Sequence, residues 1–377
     1  MTSTLLRRNY RLPSEYGDEL KLFRTPWQRF GLLLGLVAFV FIPIQFQNDL
    51  FGVDVLGVSA YAAVYAIGAI GLNLLIGYTG QISLGHAFFF AVGAYAAAYF
   101  GDDRGWPLLA YLAMAAVCGL VIGAVVGPFA LRLRGDYLVV VTIGLVLVGE
   151  HLWKNWRSLT GGPGGRSVSA STSIGPLDFE DLSLFGHQFS KEQGVFWFLW
   201  AMVIVVAVLS KNLVRTRPGR AMQAVRDRDL SAEVIGVSLT KYKIGAFAVS
   251  SAIGAVSGAL FAVFLQGFVS FEDFRLLTSI NFVAMIIIGG LGSISGSIMG
   301  AAVITILPRA IESNSDNPAF SWLLEDSGSG SGFISQAAFN QILFGMLIIL
   351  FLVLEPRGLA ALWFRIKAYI AAWPFSY

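Results

Sequence analysis

The chain has 377 residues, of which 56% are hydrophobic and 13% are charged, whereas about 25% are charged in a soluble globular protein. This composition excludes an ordinary soluble enzyme. Long uncharged windows such as 137–148 and 195–209 indicate helices that cross a bilayer. A net charge of +3 is too small to indicate a nucleic-acid partner.

Hydropathy predicts an all-α polytopic membrane protein with about ten transmembrane helices. The arm 1–29 is polar and basic without a small-residue cleavage site, so we expect it to stay attached on the cytoplasmic side. A transmembrane domain, 30–355, and a C-terminal tail, 356–377, follow. The predicted spans lie near residues 30–47, 55–77, 82–100, 106–131, 136–152, 195–213, 244–267, 279–291, 294–311 and 338–354.

The distribution of basic residues predicts the orientation. With both termini inside, 19 Lys and Arg fall on the inner side and 7 on the outer side, so the positive-inside rule favours N-in and C-in. The outer loops 153–194 and 312–337 are rich in Gly, Ser and acidic residues, which is typical of solvated, partly mobile segments. The glycine-rich run 160–165 lacks the lysine and the flanking elements of a phosphate-binding loop, so we interpret it as a plain loop.

Small residues recur four apart on three predicted spans, which indicates close helix packing. Contacts within the chain are favoured over contacts with another subunit. A weak self-similarity at an offset of 212 residues has two open explanations, coincidence and an ancestral repeat. The small-residue series are Gly119, Gly123, Gly127; Ser250, Gly254, Gly258; and Gly292, Gly296, Gly300, and the repeat relates Ile76, Gly77, Gly80, Ile82 and Ser83 to Ile288, Gly289, Gly292, Ile294 and Ser295.

The segment 71–86 is polar and glycine-rich between strongly apolar flanks. At membrane depth such a stretch has to line a cavity or be buried in protein, because lipid cannot satisfy freed backbone groups. The alternative is an inner turn in which Tyr78, Thr79 and Gln81 are interfacial, and topology alone favours it. The candidate translocation residues are Asn73, Gly77, Thr79, Gly80, Gln81, Ser83 and His86.

Ionisable residues are nearly absent from the predicted spans. Carriers driven by a proton or sodium gradient usually need such residues, so we expect the energy to come from elsewhere. No catalytic residues can be assembled from the spans, and the three histidines have no metal-binding spacing. We therefore expect no catalytic site, metal or cofactor in this chain.

The inner loop 211–243 is much longer than a helix connection needs. Its pattern predicts a short helix over 221–228 and a second over 230–235, with Asp229 as N-cap and Gly236 as the helix stop. Leu230, Val234 and Ile235 would share an apolar face. That face suits either the inner membrane surface, with basic residues against anionic lipid, or a cytoplasmic partner, and physics alone does not separate the two.

These residues resemble a known family, the LivM-type permease subunits of bacterial high-affinity branched-chain amino-acid ABC importers. The resemblance covers about 55–360 and is carried by the segments 71–87, 133–137, 160–165 and 231–236. It implies a permease in the bacterial inner membrane that pairs with a homologous second permease. It also implies a periplasmic solute-binding protein and two cytoplasmic ATPase subunits that bind ATP, since this chain has no nucleotide-binding motif.

The resemblance further implies that the inner loop couples the permease to the ATPase. Arg220, Glu233 and Gly236 are the expected coupling residues. The match is loose around Glu233, which leaves the boundaries of the coupling helix open. Related permeases serve urea, amides or aromatic acids, so these solutes stand beside branched-chain amino acids, and a gradient-driven secondary carrier is the alternative from another class.

Overall fold

A computed structural model describes residues 54–131, 137–175, 177–181, 183–184, 187–312 and 358–372, with scattered positions at 39, 43 and between 338 and 353. The arm 1–29, most of the predicted spans 30–47 and 338–354, and nearly all of the loop 312–337 lie outside the described residues.

The described chain is mainly helical, and every predicted span between residues 55 and 311 corresponds to a helix within a few residues. Five described helices are long and apolar enough to cross a membrane, and two shorter apolar helices cover Leu276–Gly289 and Ile294–Arg309. The total number of spans and their orientation stay predictions. The helices are α1 Val55–Thr79, α2 His86–Ala96, α3 Leu108–Leu131, α4 Tyr137–Asn155, α5 Arg157–Thr160, α6 Lys191–Arg215, α7 Arg217–Asp227, α8 Asp229–Val234, α9 Leu239–Leu260, α10 Leu276–Gly289, α11 Ile294–Glu312 and α12 Gly358–Ala372.

Side chains at helix starts explain where two of the long helices begin. Asp54 caps α1 by accepting a hydrogen bond from the Gly57 amide at 2.8 Å. Ser190 and Gln193 form a reciprocal capping box at the start of α6. Both arrangements satisfy amide groups that the first helical turn leaves without partners.

The segment between α4 and α6 contains short antiparallel strand pairs of two residues each. The run 160–165 forms a 3-10 turn, Gly162–Gly164, in agreement with a plain loop. Strand β1 pairs with β6, which follows α9, so this segment is attached to the helices. The strands are β1 Arg166–Ser167, β2 Ser173–Ile174, β3 Leu177–Asp178, β4 Ser183–Leu184, β5 His187–Gln188 and β6 Phe268–Val269, and the other pairs are β2–β3 and β4–β5.

Two π-helical segments, Ala97–Asp103 after α2 and Phe261–Gln266 after α9, pack against each other at the predicted outer end. Arg166 fixes β1 beside the first of them. Its guanidinium donates to the Asp103 carboxylate at 2.7 and 3.1 Å and to the Ala98 carbonyl at 3.4 Å. The predicted outer loop is therefore anchored to the π-helical segment Ala97–Asp103 at this point.

Helix α9 lies at the centre, packed against α1, α2 and α3. Small residues make these contacts close: a methyl group at Gly119 or Gly123 would lie within 3 Å of Ser251. The small-residue series thus mediate packing within the chain, as the sequence predicts. Gly292 is the exception, because it lies in the turn before α11 with a φ of +76° and not on the helix.

Gly258 and Gly245 on α9 provide a matched test of this packing. A methyl group at Gly258 would collide with the Phe90 backbone of α2, whereas nothing lies within 4 Å of one at Gly245. We expect Gly258→Ala to lower the free energy of unfolding by about 1–3 kcal/mol. Gly245→Ala should be neutral or raise it by up to about 1 kcal/mol. Thermal unfolding of the two variants in detergent measures the difference, and equal midpoints would contradict close packing at Gly258.

The orientation can be tested by thiol labelling in a chain whose one cysteine, Cys118, is replaced by alanine. Ser171 and Ser238 are both exposed and lie on the predicted outer and inner sides. We expect Ser171→Cys to react with an impermeant maleimide added to intact cells, and Ser238→Cys to react only after the membrane is opened. Ser329→Cys, in the segment outside the described residues, should behave like Ser171→Cys. Labelling of Ser238→Cys in intact cells would overturn the orientation.

Candidate functional site

Helical structure is interrupted over only part of the glycine-rich segment 71–86, and this part is shorter than the composition of the segment suggests. Helix α1 continues through Asn73 and Gly77 to Thr79, and α2 begins at His86. Gly80 ends α1 in the left-handed conformation, with a φ of +71°. The non-helical part is therefore residues 80–85, and only there does the backbone need partners outside a helix.

Polar side chains in this turn are buried and bonded to one another. Thr79, Gln81 and Ser83 are each less than 7% exposed. The Gln81 amide donates to Thr79 Oγ1 at 3.0 Å and to the Lys243 carbonyl at 3.2 Å, and Ser83 Oγ accepts from the Gly85 amide at 3.2 Å. Thr79 and Gln81 are thus covered by protein, and their depth in the membrane stays a prediction. Whether the turn also contacts solute stays a prediction.

Two other helices supply hydrogen bonds to the start of α2. Thr142 Oγ1 on α4 accepts from the Leu84 amide at 3.0 Å, and Ser279 Oγ on α10 accepts from the Ala87 amide at 2.9 Å. The first amide groups of a helix have no partner within that helix. Side chains from α4 and α10 therefore stabilise the N-terminus of α2.

His86 is buried at this N-terminus. Its ring packs edge-on against Phe282, with centroids 4.8 Å apart, and a methyl group at Gly254 would lie 2.8 Å from its Cε1 atom. Its Nε2 atom makes no hydrogen bond to the residues that the structure describes. His86 is thus enclosed by aromatic and glycine surfaces of α10 and α9.

Asn73 joins α1 to the turn between α10 and α11. Its Nδ2 atom donates to the Ser293 carbonyl at 2.9 Å and to Ser297 Oγ at 2.7 Å, and its Oδ1 atom accepts from the Gly292 amide at 2.9 Å. Gly77 permits this approach, because a methyl group there would collide with Asn73 Oδ1 and the Gly292 amide. The side chain of Asn73 is fully buried and occupied by these bonds.

The two segments related by the 212-residue offset have similar turns. Helix α1 ends before Gly80 with a φ of +71°, and α10 ends before a turn in which Gly292 has a φ of +76°. The likeness stops there, because Ile294 begins α11 whereas Ile82 is still in its turn. The shared conformation explains why glycine occurs at both positions.

The inner loop contains the two predicted helices, with different starts. Helix α7 begins at Arg217 and not at residue 221, because Pro218 is tolerated in the first turn of a helix. Asp229 is the first residue of α8, and its N-cap is Arg228. Gly236 follows α8 with a φ of +89°, as expected for a helix stop.

The apolar face predicted for α8 is exposed: Leu230 is 76%, Val234 87% and Ile235 75% accessible. Arg220 and Glu233 are also exposed. The opposite side of α8 buries Ala232. The loop therefore presents apolar and charged groups outward while remaining attached to the helices.

The structure brings the two predicted sites together at one end of the helices. Arg226 of α7 donates from Nη1 to the Gly77 carbonyl at 2.5 Å. On the other side of the turn Gln81 reaches the Lys243 carbonyl, and Lys243 Nζ pairs with Asp229 of α8 at 2.6 Å. The sequence suggested a coupling loop and a pathway segment separately, and the structure shows that they are in direct contact.

Comparison with known proteins assigns this arrangement to a family. A family model described as branched-chain amino acid transport system / permease component matches residues 55–352. The chain belongs to this permease family. The match contains all the candidate residues, from Asn73 to Gly236. As a member, the chain is a multi-pass membrane transport subunit and not an enzyme.

Named relatives of this permease family agree with the assignment. The LivM permease protein of the high-affinity branched-chain amino acid transport system of Salmonella typhimurium is 30% identical over 361 residues, covering 92% of this chain and 77% of the relative. The Escherichia coli LivM protein is 29% identical over 315 residues, covering 80% and 69%. The fructose import permease protein FrcC of Rhizobium meliloti is 28% identical over 226 residues, covering 56% and 59%. No solved structure matches the chain.

Gly80 allows a test of whether the permease requires the turn for transport. Gly80 and Gly105 have similar positive φ values of 71° and 65°, so leucine costs about 1–2 kcal/mol of backbone strain at either position. Only Gly80 lies in the turn beside Arg226. We expect Gly80→Leu to abolish solute uptake with normal membrane insertion, and Gly105→Leu to retain uptake. Unchanged uptake in the Gly80 variant would show that the turn has no role in transport.

Proposed function

We propose that this chain is one of two homologous permease subunits that form the pathway of an ATP-driven importer in the bacterial inner membrane. A periplasmic binding protein delivers the solute, and two cytoplasmic ATPase subunits bind and hydrolyse ATP. Membership of the permease family and the apolar helices support the membrane and transport parts of this proposal. The contact between the inner loop and the glycine turn supports the coupling part.

Branched-chain or related amino acids are the proposed solutes. The support is the identity with LivM proteins over most of the chain. Other relatives are named for fructose and ribose import, so family membership alone does not define the solute. Uptake of labelled leucine, isoleucine and valine by the reconstituted complex, with fructose as control, tests this choice directly.

Helix α8 is the proposed contact with the ATPase, and the exposure of its apolar side chains carries this assignment. Burying a side chain the size of Leu230 or Val234 contributes about 1.5–3 kcal/mol, which favours a protein partner over water. The ion pair between Asp229 and Lys243 ties α8 to the start of α9. A movement of α8 caused by the ATPase would therefore be transmitted to the transmembrane helix α9.

Substitutions at Glu233 of α8 and at Gly236, which follows α8, test this contact. Gly236→Val forces a β-branched residue into a left-handed conformation, and Glu233→Lys reverses the charge of an exposed side chain. We expect both to lower the stimulation of ATP hydrolysis by the loaded binding protein in reconstituted complexes. Arg228→Gln, on the same loop, should have a smaller effect.

The measurement is ATP hydrolysis with and without binding protein at matched complex assembly. If Gly236→Val and Glu233→Lys keep normal stimulation while Arg228→Gln removes it, the docking assignment is wrong. Attachment of the loop to anionic lipid would then replace it.

A further inference from the structure

Arg226 of α7 donates a hydrogen bond to the end of α1. The Gly77 carbonyl that it binds is among the last carbonyls of α1, which lack partners within the helix. The negative end of the helix dipole lies there and favours a cation. Arg226 is thus a C-terminal cap for α1 that comes from a segment 149 residues away.

The same side chain contacts both glycine turns. A methyl group at Gly292 would lie 2.9 Å from Arg226 Nη1 and 3.3 Å from the Gly77 carbonyl oxygen. A methyl group at Gly80 would lie 3.4 Å from Arg226 Cγ. The Arg226 side chain therefore lies between the turn that follows α1 and the turn that follows α10.

The Arg226 side chain is 45% exposed although its guanidinium is bonded to Gly77. Among the described residues its ion pair is with Asp227 and is long, at 3.9 Å. A groove of about 590 Å³ opens beside it, lined also by Leu291, Ser293 and Phe364. Met222 and Val225 of α7 are buried among the helices, so a displacement of α7 shifts packed side chains as well as the guanidinium at the Gly77 carbonyl.

We propose that Arg226 is a positioning residue that transmits movement of the inner loop to both glycine turns. This rests on the proposed function, since the loop moves only if an ATPase contacts it. When α7 shifts, the Gly77 carbonyl loses its hydrogen-bond donor. At the same time the distance between the turns at Gly80 and Gly292 changes. Asn73 joins the second turn to α1, so the two turns respond as one unit.

The decisive comparison is between Arg226→Met and Arg226→Lys, with Arg228→Gln as a control on the same loop. Methionine retains much of the packing volume but has no donor, whereas lysine retains a charged donor. In complexes with binding protein and ATPases, solute transported per ATP should fall on the order of tenfold in Arg226→Met. Arg226→Lys should retain a substantial part of the solute transported per ATP. Arg228→Gln should transport as much solute per ATP as the unmodified complex.

A second measurement needs no ATPase. In the Cys118→Ala chain, Leu291→Cys places a thiol in the second turn, where the native side chain is 52% exposed. Arg226→Met should raise its rate of maleimide labelling several-fold by loosening the turn, and Arg228→Gln should not. Solute per ATP and labelling within twofold of the unmodified chain in Arg226→Met would overturn the proposal.

The remaining outcomes are also informative. If Arg226→Lys and Arg226→Met fail equally, in assembly or in solute per ATP, the donor is irrelevant and the positioning role is wrong. If the unmodified complex shows no ATP-driven uptake but labelling still separates Arg226→Met from Arg228→Gln, the proposed function fails while the link between Arg226 and the turn stands.

Discussion

Backbone groups at the interrupted helices have to be satisfied by the protein itself, because the apolar part of a bilayer provides neither donors nor acceptors. The ends of α1 and α10 meet this requirement with side chains from distant parts of the chain. Asn73 binds the turn before α11, and Arg226 binds the end of α1. Thr142 and Ser279 bind the start of α2. These few bonds join six helices, α1, α2, α4, α7, α10 and α11.

This requirement also places the proposed coupling loop. A surface loop that only carried an ATPase contact would have no reason to provide donors to membrane helices. Here Arg226 of α7 donates a hydrogen bond to the end of α1. The Lys243 carbonyl at the start of α9 accepts a second hydrogen bond from Gln81. The loop therefore provides some of the polar groups that stabilise the turn after α1. Stability of the turn and position of the loop are consequently linked, which gives a physical route between them.

The sequence predicted local features well and distant partners poorly. Apolar windows were enough to place the described spans, and Gly236 was correctly expected to end a helix, because these features depend on neighbouring residues. Asn73 is a candidate residue of the segment 71–86 on sequence alone, but its partners lie about 220 positions away. Nothing in local sequence indicates which of many polar groups it would reach.

Errors at element boundaries have similar physical causes. Pro218 suggested that α7 began after it, although proline is accommodated in the first helical turn. Gly292 fitted a four-residue spacing on α11 but lies in the turn before it, because glycine serves both close packing and positive φ. The sequence offers anionic lipid or a cytoplasmic partner for the basic residues of the inner loop, and Arg226 is one of them. Only the fold shows that it points to a helix end.

The hydrogen bond between the Ala87 amide and Ser279 joins residues that are 192 positions apart. Ribosomes extend a chain by about 5–20 residues per second, so Ser279 is synthesised roughly 10–40 s after α2. During that interval the start of α2 has to use water or lipid headgroups as acceptors. Since headgroups and water are available only near the membrane surface, α2 would remain shallow at this end after insertion. Its final depth would be reached late in biogenesis, when α10 arrives.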